Sequence, residues 1–220
     1  MSRRRKDFRK DAASHRGIDH GSEGEQSNRK VRGAIARLAA KLIAEGQTDR
    51  HAAKLKAARQ LGIADSGSLP DNIEIEHALV DHLALFEPET QPHALRLLRE
   101  TALRLMQRIE QFSPRLTGAV LAGTANEYSE IELELIGTEA KEFELYLLNA
   151  GVRFTLSERV HDRRGPARRN VLSYECEFEE VPVVIAIHES LASRQSLYPR
   201  NSIHHDYADY EQAQKRFELD

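Results

Sequence analysis

Cysteine occurs once in this 220-residue chain, at Cys176, which excludes an intramolecular disulfide framework and suits a reducing compartment. No apolar run approaches the roughly 18–20 residues that a helix needs to cross a bilayer. Arg3, Arg4, Arg5 and Lys6 are not followed by an apolar segment, so a secretory signal is not expected and the cytoplasm is the expected location. The Walker A loop, Gly-x-Gly-x-x-Gly and Gly-x-Ser-x-Gly are all missing, which removes three common routes to nucleotide binding or nucleophilic catalysis. His-Glu-x-x-His is missing as well. His188-Glu189 and His204-His205-Asp206 carry metal-ligand residue types without that spacing and read as surface polar positions. A strong net charge is also lacking: at −3 the chain as a whole has no marked attraction for nucleic acid or an anionic membrane.

What remains is an apolar fraction of 40% beside a charged fraction of 30%, enough for one domain with an accessory region or for two small domains. Charge is unevenly placed. Residues 1–32 hold ten Lys/Arg against five Asp/Glu, whereas the stretch from Asn126 to Glu144 is acidic. Residues 1–28 lack apolar periodicity and read as a disordered basic tail, solvated or in weak, salt-sensitive contact with nucleic acid.

Residues 29–112 read as a helical region. Val31, Ile35, Leu38 and Leu42 repeat at helical spacing up to Gly46, and a second helix follows Asp49 with Ala52, Ala53, Leu55, Ala58 and Leu61. Pro70-Asp71 opens a third helix, with Ile75, Ala78, Leu79, Leu83 and Phe86 facing inward. Pro88 and Pro92 interrupt the pattern, and a fourth helix starts near His93, carrying Leu97, Leu98, Ala102, Leu105, Met106 and Ile109. Lys54, Lys56 and Arg59 on the second helix invite a helix-turn-helix comparison that no turn signature supports.

After Pro114 the texture changes, and residues 113–220 read as an α+β domain. Leu116–Leu121 and Glu130–Ile136 read as strands, Glu139–Asn149 as a helix closed by Gly151, and Val152–Val160 as a third strand. Asn170–Phe178 and Val181–His188 form a hairpin about Glu179-Glu180, and Tyr207, Tyr210 and Phe217 mark a terminal helix. The order predicts a mixed sheet with packed helices. Side chains alternate along a strand, so Glu130, Glu132 and Glu134 share one face and Ile131, Leu133 and Leu135 the other. Neighbouring carboxylates beside a glycine turn are unfavourable unless water or a cation compensates them, which points to a metal and phosphate site. An acidic edge strand with a solvated face is the plainer alternative.

The run Gly118-Ala119-Val120-Leu121-Ala122-Gly123, followed by Ser129-Glu130-Ile131-Glu132-Leu133, resembles the nucleotidyltransferase signature of the DNA polymerase β-like superfamily. That signature is Gly-Ser, two residues, Arg-Gly, five residues, then Ser-Asp-Ile-Asp-Leu, and the spacing here matches without a gap. The resemblance extends from Leu116 to His188 and implies a nucleotidyltransferase-like sheet that takes an NTP. It implies further that Gly118 and Gly123 shape a phosphate-approaching turn, with Ser129 beside them. Glu130 and Glu132 stand at the positions of the carboxylates that hold Mg2+. Glu177, rather than Glu175 or Glu179, is the choice for a third catalytic carboxylate, because the usual place in the last hairpin strand is occupied by Val184.

The departures fall on reactive positions. Ala119 replaces serine, Ala122 replaces arginine, and both aspartates have become glutamates, which moves the charge outward by a methylene. Mg2+ demands short, near-octahedral distances, so that change is not neutral. Arg163, Arg164, Arg168 and Arg169 lie in a loop that is either solvated or folds towards the acidic site in place of the lost arginine. Cys176 sits on an alternating strand without a partner that would activate a thiol. Two functional readings stay open: Mg2+-dependent transfer of NMP from an NTP to an acceptor (protein, RNA or small molecule), and a catalytically inactive module that binds nucleotide, RNA or a protein partner.

Overall fold

The helical texture between Lys30 and Ile109 folds as four helices: α1 (His20–Ala44), α2 (Arg50–Gln60), α3 (Asn72–Phe86) and α4 (Thr90–Arg108). The computed structural model describes residues 20–47, 49–63, 69–160, 170–198 and 204–218. Ile35, Ala36, Ala39 and Leu42 of α1 meet Ala53, Ala57 and Ala58 of α2 and Ile75 of α3. A second stripe, Ala40 and Ala44, packs on Leu79 and Leu83. Alanine at most of these contacts lets the three backbones approach closely.

Caps fix where the helices begin. The Asp49 carboxylate accepts from the N–H groups of His51 and Ala52. Asp71 and Glu74 form a reciprocal capping box, and Glu74 also accepts from Arg32 of α1 at 2.5 Å.

Three details differ from the expectation. α1 begins at His20, so its opening turns run through residues assigned to the polar tail; once the apolar stripe nucleates the helix, each further residue adds one hydrogen bond. The rest of the tail, residues 1–19, lies outside the described residues. α4 starts at Thr90, and Pro92 sits in its first turn, where the missing N–H has no intrahelical partner to lose. Phe86, expected inward, is 66% exposed, and Leu97 of α4 is 50% exposed. Phe86 is the last residue of α3, three positions after Leu83, and its ring lies 4.6 Å from that of His82. Leu97 is rotated about 100° from its neighbour Leu98, which takes the buried position.

The second half is a five-stranded mixed sheet: β1 (Arg115–Thr117), β2 (Ile131–Ile136), β3 (Phe154–Val160), β4 (Asn170–Phe178) and β5 (Val181–His188), in spatial order β1-β2-β5-β4-β3. β2 and β5 are parallel and the other pairs antiparallel. The hairpin turns at Glu179 and Glu180, both with positive φ (52° and 66°). The segment Leu116–Leu121, expected to be one strand, is instead β1 followed by the helix α5 (Gly118–Ala122). Gly118, at φ +73°, turns the chain out of the strand.

One face of the sheet holds the main core. Ile131, Leu133, Ile185 and Tyr174 pack against α4, against Phe143 and Leu147 of α6 (Ala140–Asn149), and against Ala213 of α8 (Tyr210–Phe217). Phe143 meets Phe112 and Tyr174 edge-on at 5.1 and 5.3 Å. The opposite face carries Glu132, Glu134, Val184, Ala186 and His188, and is partly covered by α7 (Leu191–Leu197) through Leu197 and Tyr198. No helix among the described residues is long and apolar enough to cross a membrane.

Candidate functional site

The three glutamates of the acidic strand have three different environments. Glu130 precedes β2, is half-buried and borders a cleft with about 90 Å³ of space open to water. Glu132 borders the same cleft, and its Oε2 lies 3.3 Å from His204 Nδ1. Glu134 is buried, with 1% of its side chain exposed, and accepts from Arg194 Nε of α7. The compensation that a row of carboxylates requires is thus supplied in part by the chain itself.

Arg194 is the hub of this arrangement. Its side chain is 1% exposed, and it donates to the carbonyls of His204 (2.5 Å) and His205 (3.1 Å) while stacking on the rings of Tyr198 and Tyr207. It therefore ties α7, the acidic strand and the 204–207 loop together, and that loop presents His204 to Glu132. His188, opposite Ile136 in the β2–β5 register, is 2% exposed and lies 3.5 Å from Glu134 Oε1. The expectation that His188 and His204 are surface positions is corrected: α7 covers the first, and the cleft takes the second.

The glycines of the signature do different work. A Cβ on Gly118 would lie 2.7 Å from Glu132 Cδ, so only glycine allows the carboxylate to rest against this turn. Thr117, just before it, pairs with Glu132 across β1 and β2, and its hydroxyl donates to the Asp206 carbonyl at 3.0 Å. Gly123 ends α5 at φ +84°, and its carbonyl accepts from Gln91 of α4 at 3.2 Å. Ser129 borders the cleft, and its hydroxyl accepts from the Asn126 N–H at 3.0 Å, which closes the turn before Glu130.

The other wall of the cleft comes from the helical region, through Ala44, Gly46 and Arg50. Two polar links hold the walls together. Glu76 of α3 accepts from Arg50 (3.2 Å) and from the Thr124 hydroxyl (2.7 Å), and Asn126 donates to the Ala44 carbonyl at 2.8 Å. Asn126 is 3% exposed, so Asn126→Ala leaves a buried carbonyl without its donor. We expect a loss of about 1–3 kcal/mol in urea unfolding. A loss below the error of the measurement would mean that water replaces the side chain.

The third carboxylate is not brought to this cleft. Val184 stands between Glu132 and Glu175 in register, so those two carboxylates are two strand spacings apart, about 9.5 Å at the backbone. Glu175 accepts from the Ser157 hydroxyl at 2.8 Å. Glu177 is opposite Pro182 and does not border the cleft. Glu179 pairs with Arg104 at 2.7 Å, and that hydrogen bond holds its carboxyl below the ordinary range. Among the described residues, no group of three or more His, Cys, Asp or Glu is placed to hold a metal ion. Mg2+ commonly takes one or two protein carboxylates, with water and substrate phosphate completing its shell. Glu130 and Glu132 on one cleft fit that smaller requirement.

Other sequence features resolve simply. Burial, then the nearby Glu177, raises the Cys176 thiol pKa, in keeping with an unreactive side chain. Lys54 is 9% exposed and donates to Asn72 at 3.4 Å, so α2 does not present three free cations to a nucleic-acid groove. Arg163, Arg164, Arg168 and Arg169 lie outside the described residues. Sequence reasoning singled out neither Arg50 nor Arg194. Both make contacts between distant segments, and no local periodicity or spacing marks them.

No protein-family model matches the chain. No curated protein matches it either. Among solved structures it is similar to the Cid1 poly(U) polymerase. For the complex of Cid1 with the UTP analogue UMPNPP, the similarity covers 50% of this chain and 34% of that chain, at 16% identity and a TM-score of 0.30. For the MgGTP-bound structure, it covers 50% and 36%, at 15% identity and a TM-score of 0.29. The similarity thus spans about a third of the length of those polymerase chains.

Proposed function

We propose that this chain is a nucleotidyltransferase-like module that binds a nucleoside triphosphate in the cleft between the helical region and the Glu130–Glu132 segment. One observation carries the reading: Glu130 and Glu132, the two carboxylates of the signature, border one cleft. The Glu132 side chain there rests against the first signature glycine, Gly118. In this reading Glu130 and Glu132 hold Mg2+, Gly118 and Gly123 shape the turn that faces phosphate, and Ser129 keeps the approach to Glu130 in place. When bound, Mg2+ supplies charge neutralisation to the triphosphate oxygens.

Within this reading a binding or regulatory role is favoured over transfer. His204 already engages Glu132, and Val184 separates Glu132 from Glu175. Transfer of NMP to a protein, RNA or small-molecule acceptor is the second reading. The shared cleft of Glu130 and Glu132 favours it, and it would need Glu177 or another base to reach the acceptor.

Calorimetric titration of an NTP with and without Mg2+, into wild type and Glu130→Gln/Glu132→Gln, tests the proposal. We expect Mg2+-dependent binding that weakens at least about tenfold in the double variant. Affinity indifferent to both Mg2+ and the substitutions would overturn the metal pair. Incubation with labelled NTPs and cell extract separates the two roles. A labelled product that requires Glu132 would establish transfer, and unlabelled extract is the expected result.

A further inference from the structure

The cleft is completed by the helical region, and we propose that Arg50 and Tyr128 are its ligand-reading side chains: Arg50 for the phosphate chain and Tyr128 for the base. This rests on the nucleotide reading above and adds the residues that would select a nucleotide over a bare anion. Ala119 and Ala122 have removed a hydroxyl and a cation from the signature itself. Arg50 restores a cation from a different part of the chain, because it borders the same cleft as Ala119 and Glu132.

The local structure holds Arg50 ready for an anion. It opens α2, whose start is fixed by the Asp49 cap, and one of its terminal nitrogens donates to Glu76 at 3.2 Å. Glu76 is held in turn by the Thr124 hydroxyl, so the guanidinium is set in place relative to the loop that follows α5. The Arg50 Nε is buried and has no hydrogen-bond partner. A guanidinium carries five N–H donors in a planar fork, and a buried donor without an acceptor is costly. A phosphate oxygen in the cleft would instead meet the terminal N–H groups of the guanidinium, whose side chain is 17% exposed, and add a charge-assisted bond.

Tyr128 supplies a different chemistry. Its side chain borders the cleft with 56% of the residue exposed, in a chain where aromatics are 6% of the residues. The hydroxyl end is engaged by Glu127, whose hydrogen bond raises the phenol pKa. Gly46 lies against the base of the ring: a Cβ there would be 3.6 Å from Tyr128 Cβ and 3.7 Å from Cγ. At φ +98° this position favours glycine on conformational grounds as well. An exposed aromatic face, a fixed guanidinium and a carboxylate pair in one cleft match a ligand with an aromatic ring, a phosphate chain and a bound divalent cation. A nucleoside triphosphate has all three.

The test compares two probes, MgATP and Mg2+-tripolyphosphate, by calorimetry on wild type, Arg50→Gln, Arg50→Lys, Tyr128→Leu and Tyr128→Phe. Arg50→Gln is expected to weaken both probes about 10- to 100-fold. Tyr128→Leu is expected to weaken MgATP about 5- to 100-fold and to leave tripolyphosphate unchanged, because stacking requires the base. Tyr128→Phe should behave as wild type. Arg50→Lys can keep the charge pair with Glu76; should Arg50→Gln fail to fold, a loss of about fivefold or more for both probes in Arg50→Lys carries the phosphate assignment.

MgATP binding that neither Arg50 nor Tyr128 variants alter would overturn this proposal and leave the cleft reading intact. Equal weakening of both probes by Tyr128→Leu would overturn the base assignment. Failure of wild type to bind MgATP would overturn the nucleotide reading and this inference together.

Discussion

Arg194→Ala is expected to destabilise the protein by about 3–5 kcal/mol, because it leaves the Glu134 carboxylate, 1% exposed, without its cation. Desolvation decides the size of the effect. An ion pair in water is worth little, but removing one partner of a buried pair strands the other in a medium that cannot hydrate it. Urea unfolding of wild type and variant measures the loss. Glu134→Leu/Arg194→Leu should recover most of it, since two apolar side chains leave no buried charge. If the single substitution costs less than about 1 kcal/mol, water must reach Glu134 and the reading of Arg194 as a buried hub is wrong.

The single substitution should also act on the cleft. Arg194 holds the carbonyls of His204 and His205, and His204 lies against Glu132. Nucleotide affinity should therefore change in Arg194→Ala even at temperatures where the variant remains folded.

Gly118→Ala is the second large expectation, a loss of about 2–5 kcal/mol. Left-handed backbone at φ +73° costs an alanine about 1–2 kcal/mol, and relieving the contact with the Glu132 carboxylate adds an overpacking cost of about 1–3 kcal/mol. A cycle with Glu132→Ala separates the two. In that background the carboxylate contact is gone and only the Cβ of residue 132 stays near, at 3.3 Å, so Gly118→Ala should cost little more than the backbone part, and the coupling between the sites should be about 1–3 kcal/mol. Strict additivity would mean that the carboxylate moves away freely and that its place against Gly118 is not fixed.

Much of the fold follows from periodicity. The Asn170–Phe178 and Val181–His188 hairpin is legible because the alternation of Leu172–Phe178 and the apolar run Val181–Ile187 are separated only by Glu179-Glu180. The α6 helix is legible for the matching reason, with Phe143 and Leu147 on one side and Gly151 just past its end. The Gly118–Ala122 run misleads because five small or apolar residues fit a buried strand and a short helix equally; the positive φ of Gly118 decides between them, and sequence alone does not display it.

The site divides in the same way. Glu130, Glu132 and Gly118 are found from spacing, because the signature is contiguous. The groups that complete or compensate it come from afar. Arg50 precedes Glu132 by 82 positions, and His204 follows Glu132 by 72, so their proximity depends on how α2 and the 204–207 loop dock. His188 reads as a surface residue because its burial depends on α7, whose Arg194 no local pattern singles out.

Mapping the ligand onto the amide spectrum tests the central claim most directly. Titration of MgATP into the ¹⁵N-labelled protein should shift the amides of Gly46–Gln47 and Arg50, of Gly118–Ala119, of Asn126–Glu132 and of His204, all of which lie on or beside the cleft. The same titration into Glu130→Gln/Glu132→Gln should shift them far less at equal ligand concentration. Shifts confined to another part of the fold, or equal shifts in both proteins, would contradict a nucleotide site built on Glu130 and Glu132.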